Sequence, residues 1–257
     1  MEVRCLPEQR LSEAERSVVA YINRQQCIIN LLSISDIAEG AFVSNATVSR
    51  AIRKCGFASL SEMKFRLTED TRNDRQSYEM NRILSKSYTE CLESIKRIDI
   101  AAVTKIAALL RQAGVVYLLA NGLTALIANE FAVQLQCQKI NVCTISDSEM
   151  MRRMDLLATE RDVIFILSVK NSTPELAIGA RLAKSVGATV ICGCCTEGTA
   201  LDELSDHILY GYTQSIHSNR LFGCTSRLGL MIITRTIVEY LAADADMEEE
   251  IGTSGNN

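Results

Sequence analysis

No run in this chain approaches the length of a membrane span, and its N-terminus lacks the basic leader and apolar core of a secretion signal. A membrane partner is therefore not expected, and the economical location is the cytoplasm. Histidine is scarce, with His207 and His217 the only two. Neither sits beside the closest cysteine cluster, Cys192-Gly193-Cys194-Cys195, which also lacks the paired spacing of a zinc site. No metal and no cofactor are expected. The ten cysteines do not form a disulfide scaffold either. Cys27, Cys55, Cys91, Cys137, Cys143 and Cys192 lie in apolar or helical runs, where cysteine acts as a small hydrophobe in a reduced compartment. Positive charge is in deficit, 27 basic against 31 acidic residues and a net charge of −4. That excludes a surface coated for nucleic acid but leaves room for a local basic face. There is no internal repeat.

The 257 residues are 47% hydrophobic and 23% charged, as in a soluble globular protein of one large or two modest domains. The organising stretch is ISDIAEGAFVSNATVSRAIRKCGF, residues 34–57. Ile34, Ile37, Ala38 and Ala41 recur at the spacing of one buried helical face, and Ser33 or Ser35 caps its start. The pattern breaks at Phe42-Val43, where a turn glycine is common. Ser44 then caps a second helix that turns Val48, Ala51 and Ile52 inward. Asn45, Thr47, Ser49, Arg50 and Arg53 fall on its outer side. Small polar residues at the front followed by arginines suit a helix that reads DNA. The front residues reach base edges, Arg50 forks onto a guanine, and Arg53 with Lys54 holds phosphates. The plainer reading is a solvated helical hairpin. Against it, Arg50, Arg53, Lys54, Lys64 and Arg66 face only Glu62 between Ser44 and Arg66, a local positive excess.

Upstream, Ser12 and Glu15 form a capping box leading into Val18, Val19 and Ile22, the third side of a helical bundle. Downstream, Ser59 or Ser61 caps another helix carrying Leu60, Met63, Phe65 and Leu67. Residues 1–67 thus read as an all-α helix-turn-helix domain, and 68–77 as a polar linker. Helical patterns follow over 78–98 and 100–112. From Val115 the runs VVYLLA, INVCTI, VIFILS, TVICGC and HILY alternate with helical segments over 124–138, 148–158, 174–186 and 199–205. A last helix spans 226–243. This alternation predicts an α/β domain over 78–243, a five-stranded parallel sheet flanked by helices. Residues 244–257 read as an acidic disordered tail.

Ligands of open parallel sheets bind where strands end and helices begin. Two such junctions carry hydroxyls. In the first, Gly122 allows close backbone approach and Thr124 opens a helix. In the second, Ser168 leads to Lys170, Asn171 and Ser172 or Thr173, either of which caps a helix with Pro174 in its first turn. Free N–H groups at such a helix start attract anions, and Lys170 adds positive charge. The plainer alternative is a pair of capped helices without a ligand.

The order of parts resembles the RpiR family of transcriptional regulators, over roughly Leu11 to Leu241. The resemblance is carried by IAEGAFVSNATVSRAIRKCGF, SVKNSTPEL, ARLAKSVGATVI and LFGCTSRLGL. It implies a C-terminal SIS (sugar isomerase) domain that binds a sugar phosphate and dimerises. It also implies a DNA-binding regulator of carbohydrate metabolism, acting on a double-stranded operator as a homodimer or tetramer. In SIS domains the loop after the third strand reads Ser-x-Ser-Gly-x-Thr. Here Ser168 and Thr173 match, while Lys170 and Asn171 replace the second serine and the glycine. The first loop reads Gly-x-Gly-x-Ser; Gly122 and Thr124 are counterparts, and Ala120 replaces the first glycine. Ser226 falls where the family often places another hydroxyl. The implied ligand site is therefore Gly122, Thr124, Ser168, Lys170, Asn171, Ser172, Thr173 and Ser226. SIS folds also occur in aldose–ketose isomerases and lyases, whose chemistry needs a well-placed carboxylate or histidine. His207 lies in the last strand, His217 in a polar loop, Glu175 at a helix start and Glu130 inside a helix. No catalytic residue is expected, and the DNA reader argues against an enzyme. A dimerising domain with a vestigial pocket is the remaining alternative.

Overall fold

The computed structural model describes residues 2–26, 28–72, 75–214 and 225–254, with the side chains of 68–72, 75–79 and 245–254 outside that description. Cys27 and His217 lie outside the described residues. The chain forms two units, Met1–Thr89 and Glu90–Asn257.

The first unit is helical. α1 (Glu13–Arg24) begins at the expected capping box: the Ser12 hydroxyl accepts from the Glu15 N–H, and the Glu15 carboxylate accepts from the Ser12 N–H. α2 (Ile34–Gly40) repeats the device with Ser33 and Asp36, so Ser33 is the cap and Ser35 is not. α3 (Asn45–Lys54) is capped by Ser44, whose hydroxyl accepts from the Thr47 N–H. In α4 (Leu60–Arg72) the Ser59 hydroxyl accepts from the Glu62 N–H. Val18, Ile22, Ile37, Val48, Ile52 and Met63 close a common core, each essentially free of solvent contact. Each such burial contributes roughly 1.5–3 kcal/mol. That is what holds α2, only seven residues long, since a helix this short does not stand alone.

The polar stretch read as a linker is largely helical. α4 runs on to Arg72, and α5 (Arg75–Arg97) begins three residues later. The stretch 68–77 contains no glycine or proline, the two residues that most disfavour a helix interior. The boundary between the units falls inside α5, at Thr89/Glu90.

The second unit continues with α6 (Ile100–Gln112), β1 (Val116–Leu119), α7 (Thr124–Cys137) and β2 (Val142–Ile145). Then come α8 (Ser148–Met151), α9 (Met154–Leu157), β3 (Val163–Ser168), α10 (Pro174–Ser185) and β4 (Thr189–Cys194). α11 (Ala200–Leu204), β5 (His207–Tyr210) and α12 (Leu228–Ser254) complete it. The strands pair in parallel in the order β2-β1-β3-β4-β5. Central β3 is buried along its whole length, as a continuous apolar run requires when helices cover both faces. On one face Phe131, Leu135, Ile233 and Ile237 pack on Phe165; on the other Met154, Leu176, Ala180 and Leu201 pack with Ile164 and Ile166. The Phe131 and Phe165 rings meet edge to face at 5.4 Å.

Three further expectations change. The single helix over 148–158 is two short ones, which lets both Met151 and Met154 enter the core. α10 approaches that break closely, because a Cβ on Gly179 would lie 3.0 Å from the Met151 carbonyl oxygen. The acidic tail is helical to Ser254, since its Met and Glu residues favour helix. Arg111 anchors the start of that extension, pairing with Asp244 and donating to the Leu241 carbonyl. Cys137 and Cys143 are exposed instead of packed, Cys137 on the outer side of α7 and Cys143 on the edge strand β2.

After β5 the chain crosses the start of α12 with no room for side chains. A Cβ on Gly211 would lie 2.9 Å from the Gly229 backbone, and one on Gly229 would lie 2.9 Å from the Tyr212 nitrogen and oxygen. Gly229→Ala is therefore expected to destabilise the protein by about 1–3 kcal/mol, read as a lower denaturant midpoint of the full chain with an unchanged slope.

Candidate functional site

The reading helix α3 presents Asn45, Ala46, Arg50 and Arg53 to solvent, with Ser49 half-buried. Asn45 donates to the Ser35 hydroxyl at 3.3 Å, tying the fronts of α2 and α3 together. Two residues expected to meet DNA, Thr47 from the outer side and Lys54 at a phosphate, are placed otherwise. Thr47 is 8% exposed, because it falls on the inner stripe with Val48 and Ala51. Its hydroxyl lies 3.0 Å from that of Ser44 and accepts from Arg50 Nη2 at 3.1 Å. Lys54 is held inward, its Nζ 2.7 Å from a Glu15 carboxylate oxygen and 3.0 Å from the Arg10 carbonyl. Hydrogen bonding from Lys54, then from the Ser12 N–H, holds the Glu15 carboxyl below its ordinary range. Nothing in the sequence linked Glu15 to the reader beyond its capping role; only the packing of α1 against α3 does so.

The turn between α2 and α3 keeps its geometry without glycine. Val43 N–H donates to the Ala38 carbonyl and Phe42 N–H to that of Glu39, the bonding of a Schellman motif. The motif needs a left-handed residue, and Phe42 supplies it at φ 55° with its side chain 95% exposed. The glycine of this turn lies two residues earlier for a packing reason: a Cβ on Gly40 would fall 2.2 Å from the Tyr21 ring.

In the second unit β1 pairs with β2 on one side and β3 on the other, so the loops after β1 and β3 emerge side by side where the strand order reverses. After β1, Gly122 adopts φ 57° and faces open space. Thr124 is buried, and its hydroxyl accepts from Arg227 Nε at 3.3 Å. Arg227 Nη1 also donates to the Thr225 carbonyl at 2.9 Å. Arg227 was not among the residues singled out from sequence, because an isolated arginine before a helix carries no motif. Its neighbour Ser226 accepts from the Leu228 N–H and so belongs to the start of α12.

After β3 much of the hydroxyl chemistry is used internally. Ser168 is 7% exposed, and its hydroxyl accepts from the Asn171 N–H at 3.0 Å. Asn171 takes the left-handed φ of 51° expected of the glycine it replaces, a conformation asparagine tolerates. Its Nδ2 donates to the Thr196 carbonyl and the Thr199 hydroxyl, while its Oδ1 is buried without a hydrogen-bond partner. Thr173 is the residue before α10 but makes no side-chain cap, so neither proposed capping hydroxyl performs that role. Lys170 and Ser172 are exposed and Thr173 half-buried. The loop therefore divides into an anchored part, Ser168 and Asn171, and an open part, Lys170, Ser172 and Thr173.

Several other titratable groups are tied into the fold. Arg152 bonds Glu175 at 2.5 Å and holds its carboxyl below the ordinary range. Burial lowers the His207 pKa. Among the thiols, burial pushes Cys195 up to about 12 and Cys55 up to about 11, so both stay protonated. Among the described residues no helix is long and apolar enough to cross a membrane.

Residues 109–237 match the SIS domain family, and residues 6–74 match the family described as the helix-turn-helix domain, rpiR family. An uncharacterised HTH-type transcriptional regulator of Clostridium perfringens is 24% identical over 217 residues, spanning 79% of this chain and 78% of its own. HexR of Pseudomonas aeruginosa, an HTH-type transcriptional regulator, is 25% identical over 207 residues, spanning 76% and 72%. The structure of Vibrio vulnificus NanR, complexed with ManNAc-6P, shares the fold with a TM-score of 0.58. It is 19% identical and covers 95% of this chain and 92% of that one.

The strained turn yields a direct test. A left-handed non-glycine residue costs roughly 1–2 kcal/mol, and the extra freedom of glycine in the unfolded chain offsets part of that. Phe42→Gly should thus stabilise the protein by up to about 1 kcal/mol despite deleting a large side chain. A raised denaturant midpoint is the expected reading, and a lowered one would show that the Phe42 ring is not the spectator its exposure indicates.

Proposed function

Because the chain belongs to the RpiR family, with a helix-turn-helix domain followed by a SIS domain, we propose that it is a cytoplasmic transcriptional regulator that binds a double-stranded operator and senses a sugar phosphate. The observation that carries this reading is the presence in one chain of two open surfaces. One is a capped helix presenting Asn45, Arg50 and Arg53 to solvent; the other is the loop pair at the β1/β3 reversal. The named relatives are regulators, and NanR was solved with a sugar phosphate.

In this reading Asn45, Ser49 and Arg50 meet base edges, while Ser44 and Arg53 sit at the backbone. Thr47 acts from behind by aiming Arg50. The effector's phosphate lies against the N-terminus of α10, where the open part of the loop supplies Lys170, Ser172 and Thr173. Gly122 lets the ligand approach the backbone. Thr124 and Arg227 border the same crevice from the β1 side. The regulator acts as a homodimer. Leu123, Leu126 and Val133 leave a stripe along α7 that is 59%, 64% and 60% exposed, an apolar face suited to a second copy. Two readers then span half-sites about 34 Å apart. An effector that rotates the subunits shifts that spacing, with a coupling of about 1–3 kcal/mol. The internal bonding of Ser168 and Asn171 favours one competing reading, a dimerisation platform whose pocket no longer takes a ligand.

Thermal melting of the full-length protein against a panel of hexose, amino-sugar and acidic-sugar phosphates separates the two. A true effector at about a hundred times its dissociation constant stabilises by roughly 2.7 kcal/mol. Lys170→Ala/Ser172→Ala, both exposed positions, should abolish that shift and leave the unliganded melting point unchanged. No shift with any sugar phosphate, in a protein that still binds its operator, would establish the platform instead. For the assembly, Val133→Glu should convert the dimer to monomers in sedimentation equilibrium, and an unaltered mass would place the interface elsewhere.

A further inference from the structure

We infer that Glu15, which lies outside the reading helix, is a positioning residue that sets how sharply this protein distinguishes its operator from other DNA. The inference rests on the DNA-binding reading above. Glu15 is 3% exposed and anchored by the Ser12 N–H, which donates to its Oε2 at 2.7 Å. The same oxygen takes Lys54 Nζ at 2.7 Å, and Oε1 lies 3.9 Å from Arg50 Nε. Lys54 and Arg50 are four residues apart on α3, hence on one side of that helix. One buried carboxylate on α1 therefore acts on two cations of the reader.

The consequences for the two cations differ. Lys54 is drawn inward and is not offered to a phosphate. Arg50 keeps its side chain 61% exposed, but its guanidinium is attracted to Glu15 at Nε and bonded to Thr47 Oγ1 through Nη2. Thr47 is itself held against Ser44. A guanidinium held along its Nε–Nη2 edge presents its end-on Nη1 and Nη2 N–H groups in a set direction, which bidentate reading of a guanine requires. An arginine or lysine without such restraint finds the nearest phosphate, and phosphate contacts strengthen binding to every sequence alike. Glu15 thus lowers affinity for DNA in general while preserving the contact that discriminates.

The test uses the full-length chain, an operator selected by the wild-type protein from a random duplex library, and an unrelated duplex, across 50–200 mM salt. Glu15→Gln keeps the shape of the side chain and an acceptor for the Ser12 N–H. It should tighten binding to the unrelated duplex and steepen its salt dependence by about one to two phosphate contacts, each about 0.9 in the log–log slope. The operator-to-unrelated ratio should fall about tenfold, the scale of one lost bidentate base contact. Thr47→Val, which removes the other restraint on Arg50, should lower the ratio without steepening the slope. In an Arg50→Ala background neither variant should lower the ratio further. A lower melting point with ratio and slope unchanged would reduce Glu15 to a helix cap and overturn the inference. Should Glu15→Gln not fold, an unchanged ratio in Thr47→Val overturns it equally. If the wild-type protein selects no sequence from the library, the DNA-reading function itself fails, a result distinct from either of these.

Discussion

Pairing of β1 with β2 on one edge and β3 on the other is the constraint from which the larger unit follows. Parallel strands must be joined by crossovers; the chain moves from β1 to β2 and then back past β1 to β3, and right-handed crossovers running in opposite directions put their helices on opposite faces of the sheet. α7 covers one face together with α6 and α12, while α9, α10 and α11 cover the other. The central strands are then sealed, and polar groups collect at the carboxyl edge, where the loops after β1 and β3 part. Every residue assigned to the effector site lies at that edge or is delivered to it by the start of α12. Arg227 reaches Thr124 because the chain after β5 is pressed onto α12 through the Gly211–Gly229 contact and pinned to α5 through Ser94 and buried Glu90.

The reader is built on a different compromise. A seven-residue α2 has little stability of its own, so the angle between α2 and α3 depends on the bonds of the turn and on Ile37, Val48 and Ile52 beneath it. Glycine would relax the left-handed position, yet the glycine stands at position 40, where Tyr21 closes over it. Phe42 therefore carries backbone strain that the surrounding bonds overcome. Glu15 closes the arrangement from behind, joining the capping box of α1 to the cations of α3. Charge burial of this kind is costly unless hydrogen bonds compensate it, and here the Ser12 amide and the Lys54 ammonium do so.

Much of this architecture is legible in the chain. The spacing of Ile34, Ile37 and Ala38, the capping serines 12, 33 and 44, and the five β-branched runs identify the helices of the reader and all five strands. Local signals suffice there because caps and periodicity act within a few residues. They mislead where only a negative signal exists. The polar stretch 68–77 lacks an apolar face, but lacking one does not stop a helix that has already begun. The acidic end of the chain behaves in the same way, its residues continuing a helix already formed, with the Arg111–Asp244 pair at the start of the extension.

The sequence by itself determined which segments are helix or strand, that a DNA reader precedes an α/β domain, and which loops could meet an anion. Tertiary structure alone decided what each polar side chain is free to do. Thr47, Lys54, Ser168 and Asn171 all looked available to a partner, and each is engaged by the protein. Arg227 was unmarked, and it stands beside Thr124. Thr47 and Ser168 are held by residues three away in the chain, and the physical reason is common to Lys54, Asn171 and Arg227. Periodicity assigns a residue to a face of its own element, whereas their hydrogen bonds depend on which other element packs there, with partners 25 to 103 residues away along the chain.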